Sequence, residues 1–282
     1  MAVSELKIQS EERANPSWLD ACLALDLASV MLSGNRMPLI HVRARSGPVL
    51  EAWLEILQNR LACLQVRKLP TGIDEARLLG GIDLAATLAT GKRQVSSGLL
   101  VEAHQGLVTV PSAQTMDVST VHHLTAALDN GFVKIEREGV SLVQEARFGL
   151  VLIDGAEEDE EGVHTALQDR MTFHLDLNSV SYRDIKDHRF STGSFAERSV
   201  CDEKYLKDIC SLALEFGLRS LRSSMQAVDI AIACARMRGR EQVGDEDIAI
   251  AVRLSLLNRA TQMPEQIEEE ANSAAEAEPD DE

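Results

Sequence analysis

At 282 residues and 45% apolar side chains, the chain is long enough for one or two domains with a real core and too apolar to be disordered throughout. Its formal charge of −17 argues against nucleic acid as a main partner, because phosphate binding is driven by Lys and Arg. That charge is uneven: Glu265 to Glu282 holds nine carboxylates and no basic residue. The cysteines Cys22, Cys63, Cys201, Cys210 and Cys234 are odd in number and form no CxxC pair, which points to thiols in a reducing compartment. The histidines show no metal-ligand spacing. His122 and His123, neighbours on a predicted helix, point in different directions. The first residues lack a signal-peptide core, and no apolar run approaches the roughly 20 residues that span a bilayer, so a cytoplasmic protein without a membrane span is expected.

In chain order, Asn15-Pro16-Ser17 starts a helix that runs through WLDACLALDLASVML to Gly34-Asn35. MPLIHVRA reads as a short strand, Arg45 to Pro48 as a turn, VLEAWLEILQNRL as an amphipathic helix and LACLQVRKLP as a second strand. This alternation predicts an α/β fold with a parallel sheet. After a polar stretch that contains Lys92 and Arg93, read as a solvated loop, comes the apolar strand GLVTV, stopped by Pro111-Ser112. VSTVHHLTAALDN is a helix closed by Gly131. GFVKIEREGVSLVQEARF reads as a hairpin, and Asp129, Glu136, Arg137 and Glu138 around it suit a partner contact. GLVLIDG is a buried strand, followed by the acidic run Glu157 to Glu161, read as a solvated face. A helix through ALQDRM and the strand TFHLDLN close this half. The remainder is helical, in three segments of 3.6-residue period, with Asp245 placed as the N-cap of the last.

Several of these segments, taken in order, resemble the AAA+ subunits of magnesium chelatase. GIDLAATLATGKRQVSSGLLVEAHQGLV is similar to the segment that leads through a Gly-Leu-Leu motif into the Walker B strand. GFVKIEREGVSLVQEARFGLVLI is similar to the hairpin insert and sensor strand. ALQDRM resembles the arginine-finger motif, and FGLRSLRSSMQAVDIAIACARMRGREQVGDEDI the helical lid with its sensor arginine. The likeness covers roughly residues 15 to 262. It implies an αβα P-loop-type core with a hairpin insert over 1–195, an all-helical lid over 196–263 and an acidic linker or tail over 264–282.

The departures from the ATPase pattern are as specific as the matches. A working P-loop needs glycines, a lysine and a hydroxyl around the phosphates. Here the matching turn offers Arg45, Ser46, Gly47 and Pro48, then Val49 and Leu50. Walker B needs Asp-Glu, and Pro111 and Ser112 stand there. The sensor strand ends in Asp154-Gly155-Ala156 instead of Asn. The resemblance is therefore to the degenerate D-type component. It implies no tightly bound cofactor, with ATP and Mg2+ at the site of a partner, the I-type ATPase of the chelatase. It also implies a hetero-oligomeric AAA+ ring and coupling to the chelatase's H-type porphyrin-binding component in Mg2+ insertion into protoporphyrin IX. Arg170 aligns with the arginine finger acting in trans, and Arg222 with the sensor-2 arginine. Two other readings stay open: an ATPase with an unorthodox P-loop, and a stand-alone AAA+-derived regulatory scaffold outside tetrapyrrole synthesis.

Overall fold

The computed structural model describes residues 15–82, 87–89, 91, 94–137, 140–156, 161–190 and 195–262. Lys92, Arg93, the hairpin tip Glu138-Gly139, most of the acidic run (157–160) and the tail over 264–282 lie outside the described residues.

The first helix, α1 (Pro16–Ser33), starts where the sequence places it. Asn15 caps it by accepting from Ser17 N at 3.0 Å, Pro16 supplies a preset φ at the first position, and Gly34 closes it. Strand β1 (Leu39–Arg43) leads through Ala44 to Gly47 into α2 (Pro48–Arg60). The strand expected over LACLQVRKLP is only β2 (Val66–Lys68). Short pieces follow: α3 (Glu75–Leu79), β3 (Gly80–Ile82), β4 (Val95–Ser97) and α4 (Leu99–Glu102). Then come β5 (Leu107–Val110), α5 (Val118–Asn130) and the antiparallel hairpin β6 (Phe132–Arg137) and β7 (Val140–Glu145). Strand β8 (Gly149–Asp154), the single turn α6 (Thr165–Gln168) and β9 (Phe173–Asp176) complete this part. The helical part is α7 (Glu203–Glu215), α8 (Leu221–Met237) and α9 (Asp245–Ala251).

The main sheet is five-stranded in the order β2-β5-β8-β1-β9, and every pair in it is parallel. β8 lies between β5 and β1 and is buried along its whole length, which explains the unbroken apolar run GLVLI. The two sheet faces serve different cores. Ile40, Val42, Val151, Ile153 and Phe173 pack with α1, α2 and the helices α7 to α9. Val108, Val110, Leu150 and Leu152 pack with α5 and the hairpin. Helix α1 is apolar all round because it lies between the sheet and α8. Ion pairs and hydrogen bonds edge that contact: Asp20 with Arg253 at 2.7 Å, and Arg236 with the Val30 carbonyl at 3.4 Å.

Two local expectations are corrected. The N-cap of α9 is Gly244, not Asp245. The fully buried Asp247 reaches back to Gly244 N at 3.0 Å and also takes Arg238 at 2.7 Å and Arg240 at 2.8 Å. The last segment is not one α-helix. It passes into a π-type turn at Val252–Leu256 and a 3₁₀ turn at Leu257–Arg259. That change of winding lets Asn258 Nδ2 donate to the His174 carbonyl at 2.6 Å and turns Arg259 onto Asp169 at 3.2 Å. Such bulges recur beside functional sites.

Candidate functional site at two ends of one sheet

Open α/β sheets place ligands beyond the carboxyl ends of their strands. Here β1, β8 and β5 end side by side. After β1, the Arg45 amide is already donated to Asn178 Oδ1 at 3.1 Å. Gly47 caps α2, and Pro48 occupies its first turn with no N–H to offer. Leu50 is buried in the core rather than turned toward a ligand. After β5, Ser112 sits in the left-handed region at φ 53°, ψ 48° and opens a 3₁₀ turn over Ala113–Thr115. From that turn Gln114 Oε1 accepts from Gly155 N at 3.2 Å. Pro111 and Ser112 thus belong to a turn that staples the end of β5 to the end of β8.

The end of β8 is occupied in the same way. Asp154 is 2% exposed. Its Oδ2 pairs with His41 Nε2 at 3.2 Å, and its oxygens accept from Ala156 N at 3.0 Å and Val163 N at 3.5 Å. Burial would raise its carboxyl, but the His41 hydrogen bond and the two amides outweigh burial and hold it below the ordinary value. His41 in turn packs edge-on against His174, with ring centroids 5.5 Å apart. His174 is held well below its ordinary value, first by burial and then by the charges of His41 and Arg259. A magnesium nucleotide needs a lysine, a hydroxyl and a free carboxylate pair. The described residues at these three strand ends supply hydroxyls at Ser46 and Ser112 but neither the lysine nor the free carboxylate pair, so the cleft does not fit that group.

The amino end of the sheet differs. A cleft of about 940 Å3 lies there, and Arg170 and Arg222 line it together. Arg170 is not on the helix expected through ALQDRM. That helix is one turn long, capped by His164, and Arg170 lies just past it. Its guanidinium is aimed by NH1 donating to the Ala166 carbonyl at 2.6 Å. Its Nε donates to Asp129 Oδ1 at 3.0 Å and its NH2 to Asp129 Oδ2. Arg222, second residue of α8, donates to the same Asp129 Oδ1 at 3.0 Å and pairs with Asp169 at 3.5 Å. The two candidate arginines, one from each half of the chain, therefore share one carboxylate. Burial would raise the Asp129 carboxyl, but the two arginines lower it further than burial lifts it.

Sequence reasoning singled out Asp129 only as part of a contact surface near the hairpin. Its position held a sharper signal. An acid in the last turn of a helix opposes the helix dipole, so it calls for a cation from elsewhere in the fold. His41 was missed altogether. A histidine inside the apolar run LIHVR has the same kind of signal, since a buried polar group needs a partner.

The sheet order, the hairpin between α5 and β8 and the helical part after β9 make this an AAA+ α/β fold. Residues 206–281 match the model of the AAA lid domain. The chain is similar to the magnesium-chelatase 67 kDa subunit of Chlorobaculum tepidum, at 35% identity over 224 residues, 70% of this chain and 36% of that protein. It is also similar to the chloroplastic magnesium-chelatase subunit ChlI-2 of Arabidopsis thaliana, at 27% identity over 70% of this chain and 53% of that one. It thus spans little more than a third of the first relative's length and about half of the second's. Among solved structures, a full-length MCM homolog from Methanopyrus kandleri superposes with a TM-score of 0.58 at 20% identity, over 88% of this chain and 57% of that one, a likeness of fold. Among the described residues no helix is long and apolar enough to cross a membrane, and no group of three or more His, Cys, Asp or Glu is placed to hold a metal ion.

Proposed function

We propose that this chain is the non-hydrolysing AAA+ module of a D-type magnesium-chelatase component. In this reading it joins I-type ATPases in a ring and passes their ATP cycle to the H-type component that binds the porphyrin. The observation that carries the proposal is the pairing of a filled carboxyl end with an armed amino end. The groups that would hold phosphate and magnesium are replaced by a proline, a staple and a buried His–Asp pair. Two arginines meet at the other end of the sheet instead, Arg222 with a side chain 45% exposed. Arginine is the residue suited to a phosphate across an interface, because its planar fork meets two oxygens at once. Arg170 serves a neighbour's nucleotide, and Arg222 either joins it or latches the lid to the core through Asp129 and Asp169.

The test is steady-state ATP hydrolysis by the purified chain alone, measured with Mg2+ beside an I-type ATPase at equal concentration. The proposal expects turnover at background level for this chain. Turnover comparable to that of the I-type ATPase would instead establish an ATPase with an unorthodox P-loop.

A further inference from the structure

A second cavity lies on the other side of Asp169, bordered by the His41–Asp154 pair and by Arg43, which that reading does not use. Its volume is about 700 Å3, and it opens on the sheet face away from α2, where the alternation of β1 turns His41 and Arg43. Thr165 of α6, and Asn258 and Arg259 of the last lid turn, complete its polar wall.

One feature of that wall asks for an anion. Among the described residues the Arg43 guanidinium has no ion pair and no hydrogen bond, and its Nε is buried without an acceptor. An orphaned donor of this kind is costly unless something fills the place of its acceptor. The carboxylates in the wall cannot fill it. Asp154 is taken by His41 and two amides, and Asp169 by Arg222 and Arg259. In the wall itself Arg43 and Arg259 face Asp154 and Asp169, and Arg259 is paired with Asp169 at 3.2 Å, so Arg43 is the cation left without a carboxylate of its own.

We propose that this cavity binds a phosphate-class oxyanion, gripped by the Arg43 fork with Arg259 and Thr165 as further donors. Phosphate is the probe because the guanidinium fork pairs bidentately with its oxygens. The site stands whether or not Arg170 acts on a neighbour. An anion bound to Arg259 lies one shared carboxylate, Asp169, away from Arg222.

The test is isothermal titration of the full chain with inorganic phosphate in a sulfate-free buffer, at constant ionic strength so that general screening cancels. One phosphate per chain is expected, with a Kd on the order of 1 mM or tighter. Arg43→Met weakens it by about tenfold or more, and Arg43→Lys by less, since charge is kept and the fork is lost. Arg67→Met, at a surface arginine paired with Glu102 at 3.0 Å, leaves binding unchanged. Circular dichroism melts confirm that each variant is folded. If Arg43→Met does not fold, Arg43→Lys and Thr165→Ala carry the same comparison. No saturable binding by the unaltered chain overturns the proposal, and so does equal binding by the folded Arg43 variants.

Discussion

Asp154 and Asp129 are both carboxylates at the end of an element, and each is held by basic side chains. Asp154 closes β8 and is 2% exposed, with every partner it has buried beside it. Asp129 closes α5 with its side chain 35% exposed, and its partners are arginines, one of them more open than itself. The first arrangement is spent on holding the strand ends of β1 and β8 in place. The second holds two guanidinium groups on one carboxylate beside an open cleft. Burial, more than residue type, separates a structural ion pair from a poised one, and the two ends of this sheet set the cases side by side.

Breaking the buried case should have the larger effect on stability. His41→Leu strands the Asp154 carboxylate in the core, and chemical denaturation should show a loss of about 3 kcal/mol. A loss below about 1 kcal/mol would mean that the two amides suffice for Asp154 and that the carboxyl end is less committed than the geometry implies. The same region should respond to acid through His174. Its folded form releases the proton well below the ordinary 6.5, so above that value it makes no difference to stability. As pH falls through 6.5 the unfolded chain takes up a proton that the folded chain refuses, and stability drops by up to about 1.4 kcal/mol per pH unit. Comparing His174→Gln with the unaltered chain between about pH 5 and 6.5 should show a shallower slope in the variant. Identical slopes would contradict the burial of a neutral imidazole. Asp154 adds nothing in this window, because its depressed carboxyl costs stability only below its ordinary 3.8.

The exposed case should cost less. Asp129→Asn removes the charge shared by Arg170 and Arg222, and solvent screening limits the loss to about 1 kcal/mol in the same denaturation experiment. A loss as large as that of His41→Leu would show that Asp129 is a structural anchor, and the contrast between the ends would fail.

Much of this fold was legible because its signals are local. Asn15-Pro16 and Gly34 bracket α1, Gly131 closes α5, and the apolar runs of β1, β5 and β8 are where the periodicity puts them. What escaped depends on contacts far apart in sequence. His41 and Asp154 lie 113 residues apart, and Arg222 and Asp129 lie 93 apart, so no window of sequence contains either pair. The 3.6-residue pattern also runs unbroken through Val252–Leu256, although the winding changes there. The reason is tertiary: Asn258 and Arg259 gain His174 and Asp169 only in the altered register. Likewise ALQDRM has helical spacing, yet one turn suffices once Ala166 and Asp129 hold Arg170.

The most direct test of the division between the two ends is ATP hydrolysis by a ring reconstituted from I-type ATPases and this chain. Two variants are compared: Arg170→Ala at the amino end, and Arg45→Ala with Ser46→Ala at the carboxyl end. Loss of a trans arginine should lower turnover at the sites it faces by about 10³-fold, while the carboxyl-end pair stays within about twofold of the unaltered ring. Unchanged turnover with Arg170→Ala, or a collapse with the carboxyl-end pair, would contradict the account.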